Sequence, residues 1–208
     1  MCGRYVITKP VSKIKGIVKS VIGVEDDENY NAHPKQNLPV IKPYTNGKTL
    51  ESLQWGLTPS WAKEKNIKPL INARLETIRE KVSFKNLIKT SRCIVIADGY
   101  YEWKKDYNNK IPHYLTRSDN QIIFIAAIFQ AKQFCLITQQ ASENINFIHQ
   151  RQPVILDEKN LNQYLNLKYE AVEFINSCSK AELKFHEIRK DVNNPTNNNS
   201  SLIERYEK

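Results

Sequence analysis

Cys2 is the residue whose position most alters its chemistry. Initiator Met is normally trimmed ahead of a small residue, and loss of Met1 would leave Cys2 with a free α-amine beside its thiol. An α-amine titrates near about 7.7 to 8.0 and a thiol near about 8.5, so both lie within reach of their nucleophilic forms at neutral pH. A 1,2-aminothiol of this kind traps aldehydes. The amine condenses to a Schiff base, and the sulfur then closes on the imine carbon to give a five-membered thiazolidine. The alternative reading is a cysteine that merely begins an edge strand, and position alone favours that alternative.

Three further blocks carry chemistry-bearing side chains. In INARLETIRE, Asn72 could hold a substrate hydroxyl or orient an amine, and Arg74 presents a fork suited to phosphate. The bland version is an Asn N-cap followed by a surface Arg. In IADGYYEWKK, Glu102 is flanked by Tyr100, Tyr101 and Trp103, surroundings that would raise its pKa toward neutrality and suit it to proton transfer. A cross-strand salt bridge to one of the lysines is the competing use. In IHQRQPVIL, His149 could shuttle protons, and Arg151, two residues on, points the same way if the segment is extended. His33, His113 and His186 read as hydrogen-bonded structural residues. Of the tryptophans, Trp61, in a Pro- and Lys-bearing loop, suits stacking on an unpaired base, whereas Trp55 belongs in a core.

These side chains need elements to hold them. Val11, Ile14, Ile17, Val18, Val21 and Ile22 recur at helical spacing after Pro10 and predict an amphipathic helix ending at Gly23. Short apolar or alternating runs predict strands over 38–44, 49–55, 92–97, 111–116, 121–129 and 134–138. The polar stretch 106–110 predicts a hairpin turn just after the YEW segment. Asn72 and Arg74 are expected at the mouth of a helix. Helices return over 157–166, with Asp157 as N-cap, and over 169–178. The Asn-rich end, about 193–208, reads as irregular. The sum is an α+β, β-rich single domain over 1–208, with helices set against a curled, barrel-like sheet.

Composition narrows the class. Of 208 residues 40% are hydrophobic and 25% charged, ordinary globular proportions, and no apolar run approaches the roughly 18 residues of a membrane span. The cysteines are four, widely spaced and without a CxxC pair, so neither a disulfide framework nor a zinc site is expected, and no metal or cofactor. Without an export signal, a cytoplasmic location is expected. Lys plus Arg number 31 against 22 Asp plus Glu, a net charge of +9, which favours a polyanion such as nucleic acid. Phosphate loops, dinucleotide fingerprints, zincin and hydrolase-elbow motifs are absent from the sequence.

Taken in order, MCGRY at the start, YNAHP at 30–34, WGLTPSW at 55–61, NARLET at 72–77, RCIVIADGYYEW at 92–103 and HQRQPVIL at 149–156 resemble the SRAP family. These are the SOS-response-associated peptidases, also called abasic-site processing proteins, and the resemblance covers nearly the whole chain. It implies a bacterial or phage-like sensor of abasic sites in single-stranded DNA that crosslinks itself to the lesion through its N-terminal cysteine. It is expected to be monomeric, and nucleoid-associated when bound. Cys2 then matches the nucleophile, Asn72 the residue positioning the amine or sugar, Glu102 the acid/base, and His149 the group that helps open the sugar ring. Arg4, Arg74 and Arg151 match phosphate-holding positions, while Pro34 and Trp61 fall where the family wedges against or stacks on bases. Departures are His33 before the proline, where a small or aliphatic residue is usual, Gln150 where an acid is common, and Gln152. None touches a proposed catalytic position. The peptidase name reflects removal of residues ahead of the cysteine, and with only Met1 preceding it no self-cleavage is required. Two other readings of the same residues are a cysteine or N-terminal-nucleophile peptidase, which would need an oxyanion hole, and a plain single-strand-binding module indifferent to Cys2.

Overall fold

A computed structural model of the chain describes residues 2–59 and 68–207. Among these residues, fourteen strands are interspersed with short helices. In chain order they are β1 (Tyr5–Thr8), α1 (Pro10–Lys13), β2 (Ser20–Ile22), β3 (Glu28–Ala32), β4 (Asn37–Tyr44), β5 (Gly47–Trp55), β6 (Asn72–Arg74), α2 (Leu87–Thr90), β7 (Arg92–Ala97), β8 (Gly99–Asp106), β9 (Asn109–Arg117), β10 (Ile123–Gln130), β11 (Gln133–Gln140), β12 (Arg151–Pro153), β13 (Ile155–Leu156), α3 (Leu161–Leu165), α4 (Ala171–Ser177) and β14 (Leu183–Glu187). The β-rich α+β expectation holds, with the strands divided between two sheets. Among the described residues no helix is long and apolar enough to cross a membrane.

The larger sheet curls until it meets itself. β5 pairs with β4, β4 with β7, β7 with β10 and β10 with β11, all antiparallel. The parallel pairing of Gln133 and Phe134 with Gln54 and Trp55 then joins β11 back to β5 and completes a ring. Closure removes edges that would otherwise present unpaired backbone. Every side chain of β7 is buried, because one face looks into the ring and the other is covered by α2 and α3. Arg92 in that strand is 2% exposed and, among the described residues, meets no carboxylate. It donates instead to the carbonyls of Ile88, Tyr164, Asn166 and Tyr169 at 2.8–3.3 Å, where helices α2 and α3 end and a cation is favoured.

The smaller sheet runs β14-β9-β8-β1-β3 and packs its inner face, with Tyr5, Ile7, Tyr100 and Leu115, into the same core as the ring. Alternation along the strands sends Val6, Tyr101, Trp103 and Tyr114 to the outer face. That face is not left to water. Ile188, Val192, Leu202 and Ile203 of the C-terminal segment cover it. The Asn-rich end is indeed mostly irregular, yet it is closely tied down. Asn31 donates to the carbonyls of Asn194 and Asn197 at 3.0 and 2.9 Å, and the Asn198 amide engages the edge strand at Tyr30 N and Glu28 O.

Two expected helices are not formed as predicted. The run from Val11 to Gly23 gives only the four residues of α1, because Gly16 at φ +95 turns the chain out of the helical region and Ser20–Ile22 pair in parallel with β5. Val21 and Ile22 accordingly stand 42% and 45% exposed. Asn72 and Arg74 lie on β6, beside β11, rather than at a helix mouth, and a single 3-10 turn follows at Leu75–Thr77. Asp157 does precede a helical segment, but its carboxylate accepts from Arg117 at 3.0 Å and makes no cap. The second late helix starts after Glu170, whose carboxylate caps Glu173 N at 2.7 Å. The remaining strands and the hairpin at Asp106–Asn109 form as expected.

Gly99 sets the contact between β1, β8 and β9. A Cβ there would sit 2.5 Å from the Tyr114 ring and 2.6 Å from the Leu115 carbonyl oxygen, a backbone clash that cannot be relieved by a rotamer change. Gly99→Ala is expected to destabilise the fold by about 1–3 kcal/mol, as for other overpacked sites. Urea unfolding measures this, and an unchanged midpoint would show that the strands slide apart freely.

Candidate active site

Cys2 precedes β1, a strand hydrogen-bonded on both sides, by β8 at Tyr5 and Val6 and by β3 at Tyr5, Ile7 and Thr8. The backbone that follows Cys2 is therefore fixed in the interior of a sheet. Cys2 is 0% exposed, its thiol donating at 3.8 Å to the Arg4 carbonyl. Burial pushes the thiol pKa well up, and the nearby charge of Glu102 pushes it further.

Asn72 reaches the same point from the other sheet. The Ile71 carbonyl accepts from the Trp55 indole at 3.0 Å and from Leu136 N at 3.1 Å, which sets Asn72 opposite Leu136 on β11. From there the Asn72 side-chain N–H₂ donates to the Cys2 carbonyl at 2.9 Å. Its Oδ1 is buried and accepts from no described residue.

Glu102 is 3% exposed on β8, opposite His113. Burial raises its carboxyl pKa, and the His149 imidazole is among the groups that oppose the rise. The expected alternative of a cross-strand salt bridge to a lysine is not what the register provides. His149 Nδ1 lies 2.9 Å from the Arg151 backbone N and 3.1 Å from its carbonyl oxygen, so the ring is anchored along its Nδ1 edge. Glu102 and His149 line one cavity of about 400 Å³ together with Trp103, Lys105, Lys110 and Asn193. Cys2, Asn72, Glu102 and His149, far apart in sequence, are thus brought together: a grip on the Cys2 carbonyl, a buried carboxyl whose charge reaches the thiol, and an imidazole whose charge reaches the carboxyl.

The cations divide differently. Arg74 is exposed and lines a second cleft of about 680 Å³ with Arg151, Glu76 and Gln150. Arg151 is committed there: its fork donates twice to Glu76 at 2.9 Å and once to the Thr138 carbonyl at 2.7 Å. Against burial, those bonds hold the Glu76 carboxyl below its ordinary value. Arg4 donates to Asn31 Oδ1 at 2.7 Å and to the Val192 carbonyl at 2.8 Å. Pro34 sits half-buried in the turn after β3, with Lys35 at φ 78, and like Arg4 lines neither cavity. Trp61 lies outside the described residues.

Three residues at the cavity were missed in sequence, Asn193 and two lysines. Lys105 and Lys110 stand directly opposite each other across the β8–β9 hairpin, a like-charge pairing that costs stability in isolation. The expected turn over 106–110 hid this pairing, because the hairpin turns more tightly, with Asp106 paired to Asn109 and Lys110 already on β9. Among the described residues no group of three His, Cys, Asp or Glu is placed to hold a metal ion.

The family model for SOS response associated peptidase (SRAP) matches residues 1–195. Abasic site processing protein YoqW of Bacillus subtilis is 31% identical over 224 aligned residues, covering 99% of this chain and 100% of that one. Abasic site processing protein YedK of Escherichia coli is 30% identical over 223, covering 98% and 99%. Abasic site processing protein HMCES of Xenopus tropicalis is 26% identical, with 82% of this chain and 64% of that one covered. A crystal structure of a protein from Bacteroides thetaiotaomicron superposes with a TM-score of 0.83 over 99% of this chain at 24% identity, which shows a shared fold.

The raised Glu102 pKa carries a stability consequence. A carboxyl whose folded pKa lies above its unfolded value of 4.5 binds more protons when folded, so stability falls as pH rises through the folded pKa. Glu102→Gln is therefore expected to melt higher than wild type at pH 7.5, with the two melting temperatures converging as pH falls toward 4.5. A variant that melts lower at pH 7.5 would contradict the net burial cost.

Proposed function

We propose, from the premise that this chain belongs to the SOS response associated peptidase family, that it processes abasic sites in single-stranded DNA by crosslinking itself to them through Cys2. The observation that carries this reading is the Asn72 grip on the Cys2 carbonyl beside buried Glu102. It would hold a freed α-amine at one place in a site that also contains an acid/base.

Removal of Met1 makes Cys2 the amine-bearing residue. The abasic deoxyribose, mostly a closed ring, enters the cavity of Glu102 and His149, and His149 or Glu102 moves the proton that opens it to the aldehyde. The Cys2 amine attacks C1′, and water departs to leave the imine, with Glu102 accepting and returning protons. The sulfur then bonds to the imine carbon, the thiol proton passes to the imine nitrogen, and the thiazolidine closes with no oxidant or reductant. Since amine attack comes first, a buried and protonated thiol is compatible with the sequence of steps. The DNA strand lies with phosphates against Arg4, Arg74 and Arg151 and with Pro34 and Trp61 against neighbouring bases. Lys105 and Lys110 add a cationic rim, which offsets their mutual repulsion when a polyanion is bound.

Incubation of the protein, with Met1 loss verified by intact mass, with an oligonucleotide carrying one abasic site tests this. A heat-stable crosslink is expected, absent in Cys2→Ala and absent with undamaged DNA. A crosslink of equal yield in Cys2→Ala would refute the proposal, and turnover of peptides without DNA would favour the amide-cleaving alternative.

The lysine rim has its own readout. Replacing both Lys105 and Lys110 by Ala is expected to weaken single-strand binding and to flatten the slope of log affinity against log salt by about 0.7 for each phosphate no longer neutralised. An unchanged slope would remove these lysines from the DNA path.

A further inference from the structure

The core around Cys2 contains two tyrosine hydroxyls that folding does not account for. Tyr5 and Tyr100 are both 0% exposed, and neither hydroxyl hydrogen-bonds to any described residue. Burying a hydroxyl without a partner is unfavourable, and phenylalanine would fill the same space without that cost. Their placement is not scattered. Tyr5 and Tyr100 are direct cross-strand partners of β1 and β8, so their side chains lie side by side on the inner face, and Glu102, two residues beyond Tyr100, shares that face. Tyr5 packs its ring against Trp55 at 5.2 Å between centroids, which fixes its direction. Both phenols feel the charge of Cys2 when it ionises, and Tyr100 also that of Glu102.

The surroundings of the sulfur show what these donors would serve. In the thiol form Sγ gives its proton to the Arg4 carbonyl, an acceptor that a thiolate or a developing negative sulfur could only be repelled by. Glu102 nearby is a second source of negative charge. A sulfur that must lose its proton here requires donors.

We propose that the Tyr5 and Tyr100 hydroxyls are hydrogen-bond donors to the Cys2 sulfur as it closes on the imine, and so promote the second covalent step of the reaction and not the first. The proposal rests on the crosslinking reading above. During closure the S–C bond forms as the S–H bond breaks, the π pair of the imine takes up that same proton on nitrogen, and the phenol O–H groups stay covalently intact, directing their hydrogens at the sulfur while it carries partial negative charge. The amine attack that precedes closure does not involve the sulfur, so removal of the hydroxyls should leave it unchanged.

Tyr5→Phe, Tyr100→Phe and the double variant separate these steps. Borohydride trapping reports the imine, and heat-stable crosslink in its absence reports the closed ring. The single variants are expected to trap imine at the wild-type rate and to close the ring about tenfold more slowly, with a larger loss in the double variant, as for removal of a hydrogen bond to a charged group. The pH profile of closure should shift upward, and the melting temperatures should equal or exceed that of wild type, because an unpaired buried hydroxyl has been deleted. Ring closure at the wild-type rate in the double variant overturns the proposal. So does a parallel loss of trapped imine and closed ring with a lowered melting temperature, the mark of a merely structural pair. A wild-type protein that traps no imine refutes the crosslinking reading itself, and this inference with it.

Discussion

The position of β1 inside its sheet is the constraint on which the rest depends. Chain starts usually fray, and a reactive group placed on one would be held loosely. Here β8 pairs with β1 on one side and β3 on the other, and Asp98 pins the far end by accepting from both the backbone N–H and the hydroxyl of Thr8 at 2.9 and 2.7 Å. Cys2 inherits that rigidity. The Asn72 bond to its carbonyl then ties the smaller sheet to the ring, since β6 belongs to β11 and β11 closes the ring against β5. Had the ring been left open, Trp55, whose indole holds the Ile71 carbonyl, would lack the strand that sets Asn72 in register.

Such an arrangement puts polar chemistry where a fold would otherwise place aliphatic side chains. Glu102, Asn72 Oδ1 and the Tyr5 and Tyr100 hydroxyls all sit in the common core or at its margin. Each is a cost that packing elsewhere must exceed. The surplus comes from the ring, whose β7 and β10 are buried along nearly their whole length, and from an arginine, Arg92, committed to backbone carbonyls at and just beyond the ends of α2 and α3. Stability is concentrated in the ring, and the buried polar cost lies where the smaller sheet meets it, the usual division between scaffold and site.

Legibility in the sequence followed the range of the interactions concerned. Strands with local alternation, such as β4, β5 and β9, and the hairpin at 106–110 were readable because period and turn chemistry are local. The cluster of Cys2, Asn72, Glu102 and His149 was readable only through ordered blocks, since no spacing joins residues drawn from β6, β8 and the approaches to β1 and β12. An apolar period running through Gly16 suggests one long helix, whereas parallel pairing of Ser20–Ile22 with β5 outweighs propensity there. Asn72 looked like a helix cap because its partner, Leu136, lies on a strand 64 residues away by number (136 − 72). The Asn-rich end read as irregular, and its composition gave no hint that carbonyls of 192, 194 and 197 would serve Asn31 and Arg4.

Those bonds from Arg4 and Asn31 bear on how a strand of DNA would be held. Two of the three arginines assigned to phosphates already have partners, Arg151 in Glu76 and Arg4 in Asn31 and the Val192 carbonyl. A phosphate arriving at Arg151 would exchange with a carboxylate that is 48% exposed and free to swing into water, so the gain is the difference between two ion pairs and not the whole of one. Counterion release follows the same arithmetic, because a cation already neutralised by its own protein holds few counterions to release. The net charge of +9 therefore overstates the attraction at the cleft. On the proposed reading, and among the described residues, the electrostatic share of binding would fall on groups for which no such ion pair is seen: exposed Arg74 and the facing lysines 105 and 110. Arg4 and Arg151, preset by their bonds, would on that reading contribute direction more than affinity, which would suit a site holding one sugar against one amine.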